Sequence, residues 1–250
     1  MTELFDKTMI DRTFAPSSWQ RVVFSEFEAT LTGGARPFPC TFGVSGFKAN
    51  QLRFAFAETL DAASTGGFLT SYLKVARDLG RMTSLVVFAR PGPVQHLESY
   101  RQKFWQLLAA LETGDDAPRA QGVADALDTP SWAFCFGGEP FFVVCNTPAH
   151  VMRQSRRSTS LMVTFQPRWV FEGITDSDDP AMERALAAVR ARLARFDAIE
   201  PAPFLGKYGD PANREYKQYF LDDTNNAPVC PYRSLRPEPD APTRKEGKVA

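Results

Sequence analysis

Apolar and polar positions along the chain switch repeatedly between a two-residue period and a three-to-four-residue period. Trp132 to Phe136 and Phe141 to Val144 are dense in aromatic and β-branched side chains, which suit a pleated, buried surface. Gly137 and Gly138, with Pro140 behind them, put a turn between these two strands. Asn146-Thr147-Pro148 ends the second strand, because Pro148 has no N–H to give to a ladder. Ser84 to Ala89 and Leu161 to Phe165 read as further strands, and Gln166-Pro167-Arg168 bends the chain before another from Trp169 to Ile174. Phe42 with Val44, and Phe54 with Phe56, predict two more short strands joined by a glycine-containing turn. The helical period is clearest over 94–112, where Tyr100, Phe104, Leu107, Leu108 and Leu111 recur at steps of three and four. Ser17 or Ser18 caps an earlier helix carrying Trp19, Val22, Val23, Phe27 and Leu31, closed by Gly33-Gly34. Helices are also predicted over 67–79 and 181–196. The second follows Pro180 and the acids Asp176, Asp178 and Asp179, which offset a helix dipole.

Strand pairs alternate with helices here without a regular βαβ rhythm. That predicts an α+β fold with a mixed, mainly antiparallel sheet flanked by helices. No linker divides the chain, so one domain is expected over 1–230, followed by a mobile or surface-lying tail over 231–250 that is rich in proline and charge. At 250 residues, with 21 phenylalanines, the chain is long enough to bury an aromatic core.

Charge narrows the function classes. Lys+Arg and Asp+Glu both number 29, so the basic excess expected of a nucleic-acid partner is missing. The N-terminal stretch lacks the apolar segment of a signal peptide, and no window has the apolar length to span a bilayer. A soluble, cytoplasmic protein is the expectation. Four scattered cysteines without a CxxC pair speak against structural zinc and disulfides. Cys135 and Cys145 read as small buried hydrophobes. Cys40 sits at a proline-defined corner, where a packed thiol and a functional one are both readable.

The chain has 2 histidines. His96 lies one turn before Tyr100 on an apolar helical face, a place where one hydrogen bond usually satisfies the ring. His150 follows a strand exit and is trailed by Arg153, Arg156 and Arg157. Without CxxC or placeable carboxylates, side chains alone do not assemble a closed metal site. Haem lowers the requirement, because the macrocycle brings four nitrogens and the protein adds one axial ligand. Arginines recognise its propionates through charge-assisted bonds. The residues leave two readings open: an axial histidine with propionate-binding arginines, or a structural histidine beside a solvated turn. No GxGxxG, P-loop, GxSxG or HExxH occurs.

Several segments carry a resemblance that shifts the balance. RPFPCTFGVSGFKANQLRFAF from Arg36, FWQLL from Phe104, WAFCFGGEPFFVVCNTPAHVMRQSRRS from Trp132, FQPRWVFE from Phe165, LGKYGD from Leu205 and EYKQYFLDD from Glu215 together resemble the YqcI/YcgG family of bacterial proteins. Some members are haem-dependent N-oxygenases of amino acids or guanidino compounds. The resemblance implies a haem b monooxygenase that N-hydroxylates a small amine, with arginine or another guanidine first and an amino-acid α-amine second. It would use O2 and electrons from an external reductase. His150 becomes the axial-ligand candidate, and Arg153, Arg156 and Arg168 the candidates for propionates or a substrate carboxylate. Glu139, with Asp222 and Asp223, could receive a guanidinium. Cys40 is the alternative, thiolate ligand. His96, Tyr216 and Tyr219 are the candidate distal donors. Rival readings are a non-enzymatic haem-binding sensor, a peroxidase-like use of the same haem, and a haem-free interaction module. An aromatic-rich sheet edge also offers a homodimer interface.

Overall fold

A computed structural model describes residues 3–172 and 180–228. In chain order it has α1 (Lys7–Thr13), α2 (Trp19–Thr32), α3 (Thr41–Lys48), β1 (Arg53–Ala57), α4 (Ala62–Leu73) and α5 (Ala76–Leu79). These are followed by β2 (Leu85–Ala89), α6 (Leu97–Thr113), β3 (Phe134–Phe136), β4 (Glu139–Asn146), β5 (Met162–Pro167) and α7 (Pro180–Phe196). Short 3-10 turns cover Gln154–Arg156, Arg168–Phe171 and Glu215–Gln218. The five strands form one sheet in the order β1-β2-β5-β4-β3. Only β1 and β2 are parallel, joined across α4 and α5, and the other pairs are antiparallel. This is the mixed, mainly antiparallel α+β sheet that the alternation predicts. Asp176, Asp178, Asp179, Ile174, Cys230 and the 231–250 tail lie outside the described residues. Among those described, no helix is long and apolar enough to cross a membrane.

Burial alternates along β4 and β5, β2 and β3 are buried throughout, and the two faces of the sheet differ. One face, with Leu85, Val87, Val163, Phe165, Phe141 and Val143, is fully buried against α4 and α6. Phe104, Leu108 and Leu111 of α6 meet it along the stripe read from the sequence. The other face is covered by α1 to α3 over β1, β2 and the Met162 end of β5, where Phe54, Val86 and Phe88 cluster with Val23, Phe24 and Phe47. Over β4 and the rest of β5 that same face is left to line a cavity. The β3–β4 hairpin closes on Gly137 and Gly138, both at positive φ (60° and 75°), the geometry of a two-residue primed turn that favours glycine.

Two expected elements come out differently. Residues 41–48, expected as a strand from Phe42 and Val44, form the helix α3. Cys40 is its N-cap, and its sulfur accepts from the Gly43 N–H at 3.3 Å. Gly46 is not a turn glycine: a Cβ there would collide with the Met82 carbonyl oxygen, so it exists for close packing. Trp169 to Phe171 is a 3-10 turn and not a strand, because Pro167 ends β5 and leaves no N–H for continued pairing.

Candidate functional site

The cavity beside β4 and β5 has a volume of about 960 Å³, in the range of small-molecule and cofactor sites. Its floor is the second sheet face: Phe142, Val144 and Asn146 from β4, Thr164 and Gln166 from β5, and Val86 from β2. Phe27 and Leu31 of α2 and the Cys40 end of α3 form one wall. Leu193 and Arg190 of α7 and the 203–213 segment form the other. The wall is largely apolar, so water inside has few partners and a flat apolar ligand has much to gain. Asp197 docks α7 onto this site: its two carboxylate oxygens accept from the Ser155 N–H (2.7 Å) and hydroxyl (2.9 Å).

Cys40 opens into this space. Cys40 is exposed toward the cavity, yet the protein packed around it raises its thiol pKa overall, against the smaller lowering pull of the Gly43 and Phe42 N–H groups and the charge of Arg156. A helix N-terminus and a guanidinium are the surroundings that favour a thiolate. Arg156, distant in the sequence, adds a cation on the Cys40 side of the cavity. Arg156 itself is buried in the cavity wall, and burial, with the repulsion of Arg153, lowers its pKa to about 10. Its guanidinium donates to the carbonyls of Gln218 (3.1 Å) and Tyr219 (3.4 Å), and no carboxylate of the described residues pairs with it. An arginine buried with only carbonyl partners favours an anion beside it. Arg190 and Lys207 add two more cations to the lining.

The other expected site residues are placed elsewhere. His150 is fully buried but does not line the cavity. Its Nε2 lies 2.8 Å from the Leu221 carbonyl, which can only accept, so Nε2 carries the proton. Nδ1 is then the acceptor for the Thr147 hydroxyl at 3.0 Å. Both nitrogens are engaged in hydrogen bonds in this arrangement, away from the cavity. Arg153 does not line the cavity either. It clamps the chain beyond β5 by donating to Asp222 O (2.7 Å), Thr224 O (3.3 Å) and Asn225 Oδ1 (2.9 Å), close to Asp197. Arg168 pairs with Glu215 and stacks 3.4 Å above the Tyr208 ring. Glu139 pairs with Arg77 at 3.2 Å, and Asp222 with Arg101 at 2.9 Å. Asp223 accepts from the N–H groups of Val151 and Arg153. His96 is the exposed N-cap of α6. The Tyr219 hydroxyl lies 2.8 Å from both Phe141 O and Glu215, within the core on the opposite sheet face. Of the named candidates, Cys40 and Arg156 reach the cavity. Thr164, Gln166, Asn146, Arg190 and Lys207 were not singled out by the sequence. The polar alternation at 164 and 166 was the available signal.

The buried ionisable groups set a pH signature. Burial pushes the Glu215 carboxyl up to about 7, against the pull of Arg168 and the Tyr219 hydroxyl. A raised carboxyl binds more protons folded than unfolded, so its contribution is full below its ordinary 4.5 and is lost as pH rises through about 7. His150 is lowered, chiefly by burial, so its contribution is present above 6.5 and lost as pH falls through its folded value. Thermal melts from pH 4.5 to 8 are expected to show Glu215→Gln abolishing an alkaline-side loss on the order of 3 kcal/mol. A variant with the wild-type slope contradicts the assignment.

Known relatives agree with the extent of the described fold. The YqcI/YcgG family profile matches residues 27–233. Protein YcgG of Bacillus subtilis is 40% identical over 228 residues, covering 87% of this chain and 89% of the relative. Protein YqcI of the same organism is 37% identical over 249 residues, covering 94% and 96%. A protein of Streptomyces lavendulae named "Putative N(omega)-hydroxy-L-arginine synthase DcsA" is 32% identical over 231 residues, covering 86% and 84%. No solved structure matches the chain.

Proposed function

The chain belongs to the YqcI/YcgG family, and from that premise we propose that it is a haem-dependent monooxygenase that N-hydroxylates a small guanidino compound, arginine first. The observation that carries this reading is the cavity itself. It offers one thiol at a helix N-cap, one buried arginine with no carboxylate partner among the described residues, and an apolar wall large enough for a planar macrocycle. The described residues contain no cluster of three or more side chains able to hold a metal ion. A macrocycle needs only one protein ligand, and the donor set here fits that need. The printed name of the Streptomyces relative supports the substrate class.

In this reading Cys40 would hold the iron as thiolate, with the N–H groups of Gly43 and Phe42 and the charge of Arg156 offsetting part of the rise that burial gives the thiol. Arg156, Arg190 and Lys207 carry the anionic groups of haem and substrate. When bound, haem supplies O2 activation and delivery of one oxygen atom to nitrogen. The balance is one substrate N–H, one O2, two external electrons and two protons giving one N–OH and one water. The apolar walls from α2 and the sheet floor keep bulk water from the reacting nitrogen.

The test is turnover. Haem-loaded protein with L-arginine, O2 and a chemical or enzymatic reductant is expected to form a product one oxygen atom heavier, detected by mass spectrometry. No product under reducing conditions, or equal product without haem, overturns the reading. Product formed with hydrogen peroxide alone and not with O2 and reductant assigns the cavity to peroxidase chemistry instead.

A further inference from the structure

Every acid that the sequence offers for a guanidinium is committed outside the cavity, and the acidic lining residue, Asp210, is exposed and accepts from the Ala212 N–H. We infer that Thr164 and Gln166, on the floor strand β5, are the specificity-determining residues for the nitrogen head of the substrate. This inference rests on the reading of the cavity as an N-hydroxylation site.

β5 is the middle strand of the sheet, flanked by β2 and β4. On the cavity face Thr164 is paired with Val86 and Val144, and Gln166 with Phe142, so their neighbours are apolar. Neither side chain has a hydrogen-bond partner among the described residues, and both line the cavity. Both are half-buried, with their polar atoms open to the cavity and not sealed in the core, so a ligand seated there meets them directly. Asn146, across on β4, donates through Nδ2 to the Ser155 carbonyl (3.2 Å) and keeps its own amide oxygen to spare.

These oxygens fit a planar head with several N–H donors, which is the chemistry of a guanidinium. They are neutral, and neutrality suits the reaction. A carboxylate would hold the head in its charged form, whereas amide and hydroxyl acceptors leave a nitrogen freer to give its lone pair. Specificity built on hydrogen-bonded acceptors is also strong, because a ligand without the donors leaves the oxygens unpaired.

Calorimetric titration of haem-loaded wild type, Gln166→Leu and Thr164→Val with L-arginine and L-norvaline tests this. Norvaline keeps the arginine chain but lacks the guanidino group. Each variant is expected to weaken arginine about tenfold or more, leave norvaline unchanged, and melt at the wild-type temperature or higher when ligand-free. Unchanged arginine affinity, an equal loss for norvaline, or a lower ligand-free melting temperature overturns the inference. Turnover separates the two claims. Product from wild type with unaltered arginine affinity in both variants sinks this inference alone, whereas wild type that binds arginine through these residues but forms no product sinks the oxygenase reading alone.

Discussion

Cys40→Ala is expected to lose haem, with affinity falling by more than about 100-fold, because removal of even an outer-shell partner costs roughly 10- to 100-fold. The sulfur is the cavity's thiol and the cap of α3, so alanine removes both ligand and cap. Cys40→Ser separates the two. Serine is a strong N-cap and keeps the helix start, with a melting temperature at or above wild type, yet it offers no thiolate. It is expected to bind haem as poorly as alanine. His150→Gln is expected to keep the haem spectrum per folded molecule, because both imidazole nitrogens are spent on Thr147 and Leu221. Haem titration followed by absorbance checks all three. Retention by Cys40→Ser with loss in His150→Gln would return the axial role to the histidine.

Arg153→Ala is expected to be the most damaging substitution for stability. The side chain is 1% exposed and holds Asp222, Thr224 and Asn225 beside Asp197. Alanine leaves three acceptors and a buried carboxylate without their cation, a loss of about 3–5 kcal/mol. For a chain of this size that lowers the melting temperature by on the order of 10 °C. Arg153→Lys keeps the charge but not the fork of donors, so it recovers only part of the loss. Arg156 is expected to behave differently. Its bonds are two long carbonyl contacts, so its replacement weakens anion binding more than folding. Denaturation curves of Arg153→Ala and Arg156→Gln check the contrast, and equal losses would contradict it.

How much of this was readable from the sequence follows from range. The β3–β4 hairpin, β2, β5 and α6 were legible because their signals are local: paired glycines, alternating strands and a stripe at steps of three and four. Helix α3 was not, because Gly43 and Gly46 lower helix propensity and Phe42 with Val44 imitate strand alternation. What overrides propensity there is packing, with Gly46 pressed against the Met82 carbonyl and Cys40 capping the first turn. Missing the helix also hid the N-cap position of Cys40. His150 drew attention through rarity, but its environment is set by Leu221, 71 residues away. The arginines behind it looked like one cluster, yet the fold turns Arg153 into the C-terminal clamp and Arg156 into the cavity. Thr164 and Gln166 showed polar alternation on a strand, but which face opens to a cavity depends on α2, α3 and α7 covering the rest.

The central claim is that the cavity takes haem with Cys40 as its protein ligand. The most direct measurement is the carbon monoxide difference spectrum of the reduced, haem-supplied wild-type protein. The account predicts a Soret band at the red-shifted position of thiolate-ligated haem, absent in Cys40→Ser. A band at the histidine-ligated position that survives in Cys40→Ser, or no haem uptake at all, would contradict it.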